Sequence, residues 1–106
     1  MTYEMETIKH TTNELKEKYY ALIDMLEEAE NVMHITYAEV IACENSTCTI
    51  EEAKAIYDKH DEAVEDYNSL AEDVDALKKA IDKLNEAYYI IRGIWKEINK
   101  CHYSHL

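Results

Sequence analysis

Two apolar stripes, each advancing in alternating steps of three and four, restrict this chain to long helices. The first runs through Met5, Ile8, Thr12, Leu15, Tyr19, Leu22, Leu26, Ala29, Met33, Thr36 and Val40. The second runs through Ile50, Ala53, Tyr57, His60, Val64, Tyr67, Leu70, Val74, Leu77, Ile81, Leu84, Tyr88, Ile91, Trp95 and Ile98. Such steps keep every member on one side of an α-helix, so each run predicts one long amphipathic helix. Little in the composition interrupts them, because the chain has no Pro and a single Gly. The fold class expected is all-α.

The boundaries follow from capping chemistry. Thr2 is suited to cap the first helix, with Glu4 and Glu6 in the first turn, where the helix dipole favours negative charge. Asn45, Ser46, Thr47 and Thr49 favour a turn, and Thr49-Ile50-Glu51-Glu52 matches a capping box. The expectation is a single helical domain over 1–106: helix 3–43, turn 44–49, helix 50–100 and a short tail 101–106. Between Val64 and Leu70 two steps of three occur in succession, a local shift in the coiled-coil pattern near Asn68. A continuous or bent helix is expected there, and a break at Asn68 giving a three-helix bundle is the alternative.

Folded back on itself about residues 46–47, the chain pairs its two stripes along their length. Val40 would meet Ala53, Met33 would meet His60, Ala29 would meet Val64, Thr12 would meet Ile81 and Met5 would meet Tyr88. This predicts a long antiparallel, coiled-coil-like hairpin. Ile23, Val32, Ile35, Tyr37 and Ile41 widen the first stripe beyond a two-helix seam, which predicts a homodimer that forms a four-helix bundle. The segment after Tyr88 is apolar and basic, carrying Arg92, Lys96 and Lys100. Tyr88, Tyr89, Ile94 and Trp95 are expected to form a dimer seam or a secondary partner contact, with Gly93 marking a close approach or a bend.

Charge is distributed unevenly. Residues 24–75 hold sixteen Asp or Glu and two Lys, whereas the remainder holds seven acids and nine Lys or Arg, within a net charge of −12. Such acidity opposes direct contact with nucleic acid or an anionic membrane and favours a basic partner. No basic leader followed by an apolar run opens the sequence, no apolar stretch is long enough to cross a bilayer, and three Cys make an odd number. Together these predict a cytoplasmic protein.

The acids form a pattern. Asp58, Asp61, Glu62, Glu65, Asp66, Glu72 and Asp73 recur at helical spacing opposite Tyr57, Val64 and Tyr67, and Glu27, Glu28 and Glu30 lie on the preceding helix. Like charges three or four residues apart repel, and a surface built only for solubility mixes Glu with Lys. These ten residues are the candidate partner-binding set.

Other chemistry is thinly represented. Glu30, His34, His60, Asp61 and Glu27 place carboxylates near imidazoles, but the Glu-x-x-His spacing of di-metal bundles is missing. His60 is expected in the seam. Cys101, His102 and His105 end the chain, and Cys43 and Cys48 flank the turn as two expected free thiols that an oxidant could bridge. Glu27-x-x-Glu30 and Glu72-x-x-Asp75 are distantly similar to the paired acidic motifs of all-α nucleotide pyrophosphohydrolases, at a separation that does not fit. No catalytic residue, metal site or cofactor is expected.

In size, helicity, charge and lack of catalytic groups, the chain resembles the small acidic inhibitors made by bacteriophages, among them anti-CRISPR proteins and nucleic-acid mimics that block restriction enzymes. The resemblance implies a non-catalytic decoy for a basic, nucleic-acid-binding surface of a larger protein, such as a CRISPR or restriction nuclease. A structural coiled-coil adaptor or oligomerisation module is the alternative. A carboxylate–histidine metal-dependent all-α enzyme is a further one.

Overall fold

The computed structural model describes residues 2–104, and the side chains of residues 2–100. It is all-α, with two helices and no strand among the described residues: α1 spans Tyr3–Glu44 and α2 spans Ile50–Ser104. Both starts are capped by the threonines that the sequence offers. Thr2 Oγ1 accepts the Met5 N–H at 3.1 Å, and Thr49 Oγ1 accepts the Glu52 N–H at 3.1 Å. Helix α2 passes through Asn68 without a break, so the three-helix alternative does not arise. The tail expected over 101–106 is helical as far as Ser104; the Cys101, His102 and His105 side chains lie outside the described residues.

Contacts divide the chain into two compact units, Tyr20–Asp75 and Met1–Tyr19 with Ala76–Leu106. The 20–75 unit is a helical hairpin closed by the turn at residues 45–49. In that turn the Asn45 N–H donates to the Ile41 carbonyl at 3.1 Å and the Ser46 N–H to the Cys43 carbonyl at 3.2 Å. Its buried residues are Thr36, Val40, Cys43 and Ala63. The other unit lays the first turns of α1 against the last turns of α2, around buried Met5, Thr12 and Ile81. Thr12 is tolerated inside because its hydroxyl donates to the Ile8 carbonyl at 2.7 Å.

Every member of the α1 stripe from Met5 to Val40 is buried or half-buried. Alignment within the hairpin departs from expectation by one turn. His60 meets Thr36, Oγ1 to Nδ1 2.8 Å, and its ring lies 5.8 Å from that of Tyr37, rather than being paired with Met33. Stripes stepping by three and four repeat after seven residues, yet a one-turn slide still sets most seam positions of the two helices opposite one another, so pattern matching does not separate the two alignments.

Three further expectations are corrected. Ile50, the first residue of α2, stands exposed because no neighbouring turn covers it. Tyr57 is turned outward with its hydroxyl donating to Glu44 Oε1 at 2.9 Å, and Ile56 takes the half-buried position beside it. Gly93 marks no close approach within the chain: α2 continues through it, and a Cβ at that position would meet nothing within 4 Å.

Candidate functional site

The acidic stretch and the 20–75 unit are nearly the same set of residues. That unit carries sixteen acids and two Lys, while the other unit carries seven acids and nine Lys or Arg. Their formal charges are therefore −14 and +2. All ten candidate binding residues, Glu27, Glu28, Glu30, Asp58, Asp61, Glu62, Glu65, Asp66, Glu72 and Asp73, are exposed. The seven on α2 share one face because three- and four-residue steps return to the same side of a helix, and the seam occupies the opposite side. Lys59 does not dilute this face: its Nζ lies 3.3 Å from both carboxylate oxygens of Glu39, on α1. Glu30 Oε1 lies 3.5 Å from His34 Nε2 in an exposed one-turn pair.

Beside the stripe lies a groove that the charge pattern alone did not reveal. It has a volume of about 380 Å³ and is lined by Met25, Glu28, Ala29 and Val32 from α1 and by Ala63, Asp66, Ser69 and Leu70 from α2. Ala29 and Ala63 leave the depression, as neither side chain fills the space between the helices. Met25 and Val32 are 52% and 44% exposed, so the groove has large uncovered apolar walls. The available signal was the pair Met25 and Val32, seven residues apart and off the seam, with alanine at 29 and 63.

In the other unit the expected dimer or secondary contact residues form a loosely covered apolar surface. Tyr88 is half-buried, and its ring packs edge-on against Tyr89 at 5.5 Å. Tyr89, Ile90, Ile94, Trp95 and Ile98 are exposed. A shallow groove of about 270 Å³ runs among Ile91, Ile94, Trp95 and Ile98 beside Thr2 and Glu4.

The groups weighed as metal ligands are otherwise occupied or dispersed. His60 is held by Thr36 and Tyr37. Among the described residues, no group of three or more His, Cys, Asp or Glu is placed to hold a metal ion. Cys43 and Cys48 are free thiols. The hydrogen bond with Cys48, then burial, then the nearby charges of Cys48, Glu52 and Glu44, push the Cys43 thiol up to about 11. Such a thiol is a poor nucleophile at neutral pH. Among the described residues, no helix is long and apolar enough to cross a membrane.

No protein family matches the chain, and no curated protein or solved structure is detectably similar to it.

Proposed function

We propose that this chain is a non-catalytic acidic inhibitor that occupies a basic, nucleic-acid-binding surface of a larger protein and blocks it by competition. The observation that carries this reading is the collection of ten exposed carboxylates in one −14 unit. Glu27, Glu28 and Glu30 on α1 and the seven stripe residues on α2 would engage Lys and Arg that otherwise hold phosphates. A host defence nuclease of the CRISPR or restriction type is the kind of target such a surface suits. Association would be electrostatically steered and would weaken as salt rises. No cofactor enters the mechanism, and contact with nucleic acid or a membrane is opposed by the same charge. The compartment this implies is the cytoplasm.

Self-association belongs to the other unit in this reading. Two −14 units repel one another, whereas the +2 unit offers exposed Tyr89, Ile90, Ile94 and Trp95 to a second copy. The same apolar surface supports a second reading, a coiled-coil adaptor whose working face is the end of α2 around Trp95.

Capture from bacterial lysate separates the two. The wild-type chain is compared with a variant carrying D58N, D61N, E62Q, E65Q and D66N, and bound proteins are identified by mass spectrometry. The inhibitor reading expects a nucleic-acid-binding enzyme that the variant loses and that added DNA or RNA displaces. Retrieval of the same partner by both forms would move the function to the Trp95 surface.

A further inference from the structure

The groove beside the acidic stripe limits what kind of basic element can dock there. A pure phosphate mimic needs carboxylates alone. Here the stripe borders an open trough with apolar walls and a small-residue floor, Met25, Ala29 and Val32 on one side and Ala63 and Leu70 on the other. Glu28 stands on the α1 rim and Asp66 on the α2 rim. We infer that this groove seats an amphipathic, basic α-helix of the partner, its apolar stripe lying in the trough and its Lys and Arg reaching the two acidic rims. The inference rests on the inhibitor reading and names the element that the acidic unit grips.

Dimensions support a helix as the occupant. Met25 to Val32 and Ala63 to Leu70 are each seven residues, about 10 Å along a helix at 1.5 Å per residue. Apolar residues at positions i, i+3 or i+4, and i+7 of a docked helix cover the same length, which is how helices read grooves of this kind. Alanines at 29 and 63 permit a backbone to settle close to both helices, within the 8–10 Å separation typical of packed helices.

Charge decides between occupants. A second copy of this chain would bring another −14 unit to the trough, and like charges around an apolar seam oppose association. Nucleic acid is opposed for the same reason. A basic helix finds complementary charge on both sides, and rim carboxylates act over the ~8 Å screening length of physiological salt. Lys59, four residues before Ala63, is directed to Glu39 on α1, 3.3 Å away.

The test uses the full chain and two synthetic 18-residue peptides of identical Leu, Lys, Arg and Ala composition. One places Leu at i, i+3, i+7 and i+10 on a single face, and the other scatters the same Leu residues around the helix. Binding is read by fluorescence anisotropy at 150 mM salt. The striped peptide is expected to bind at least tenfold more tightly than the scattered one. M25Q/V32Q should remove that difference with an unchanged circular-dichroism melting curve, since both side chains are exposed. I41Q, an exposed apolar position outside the groove, should leave the difference in place. Equal affinity for the two peptides, binding of neither, or a preference that survives M25Q/V32Q would overturn the groove assignment. The acidic reading is judged separately: D58N/D61N/E62Q/E65Q/D66N should weaken both peptides together, and peptide binding that ignores this neutralisation would count against the inhibitor itself.

Discussion

Thr36 Oγ1 lies 2.8 Å from His60 Nδ1 and 3.0 Å from the Met33 carbonyl, which makes Thr36 the polar clasp between the two helices of the hairpin. Thr36 is 1% exposed, the most buried residue of that unit. A hydroxyl has one proton, so giving it to the Met33 carbonyl requires His60 to donate through Nδ1. T36V keeps the shape and removes both bonds, leaving a half-buried imidazole nitrogen unmatched. We expect a loss of about 1–2 kcal/mol, read as a lower urea midpoint at unchanged slope. T36S, which retains the hydroxyl, should lose less.

The acidic stripe should weaken the fold that carries it. Asp58, Asp61, Glu62, Glu65 and Asp66 form successive three- and four-residue pairs of like charge on α2. Each such pair costs roughly 0.2–0.5 kcal/mol, so neutralising all five should stabilise the unbound chain by about 1–2 kcal/mol. The thermal midpoint of the wild type should also rise between 20 and 500 mM NaCl, and that of the variant should rise less. A destabilised variant would mean that these carboxylates support the hairpin rather than await a partner.

The division between what the sequence disclosed and what it withheld follows from the physics of periodic patterns. Helix α1 was legible residue by residue from Met5 to Val40, because its spacing marks out one side of the helix and every member on that side is buried or half-buried. The capping threonines were legible for a similarly local reason. Alignment was not: Met33 and Thr36 are both seam positions, one turn apart, and the choice between them as neighbour of His60 depends on three-dimensional packing and a hydrogen bond. Tyr57 likewise fits the stripe, yet it stands exposed with its hydroxyl bonded to Glu44, a partner that spacing does not disclose. The acidic set was visible as composition, whereas the groove depends on Ala29 and Ala63 lining one space between two segments far apart in sequence.

Alkaline pH should loosen the turn. The Cys43 thiol is raised from an ordinary 9.0 to about 11, and Tyr57 is raised above its ordinary value of 10.0 chiefly by its hydrogen bond to Glu44. A raised pKa means that folding favours the protonated form. That stabilisation is complete below pH 9 and is lost as pH climbs through about 11, with Tyr57 acting in the same direction. Melting curves should hold steady up to pH 9 and shift down between pH 9 and 11. C48A removes the largest cause acting on Cys43 and should flatten that decline.

Self-association provides a separate check on the end of α2. Gly93 has ordinary helical backbone and open space where a Cβ would go, so G93A should raise the stability of the isolated chain by about 1 kcal/mol through helix propensity. A second copy seated over this face would change the result, because the added methyl would enter the seam. Sedimentation velocity across a concentration series distinguishes the cases. We expect the wild type to associate, I90Q/I94Q to sediment as a monomer, and the five-residue charge variant to associate as the wild type does. An I90Q/I94Q variant that still dimerises would place the seam elsewhere, and G93A would then show its stabilisation at every concentration. With the seam at Ile90 and Ile94, that gain should shrink as the chain is concentrated, since the glycine then serves the contact between copies rather than the helix that contains it.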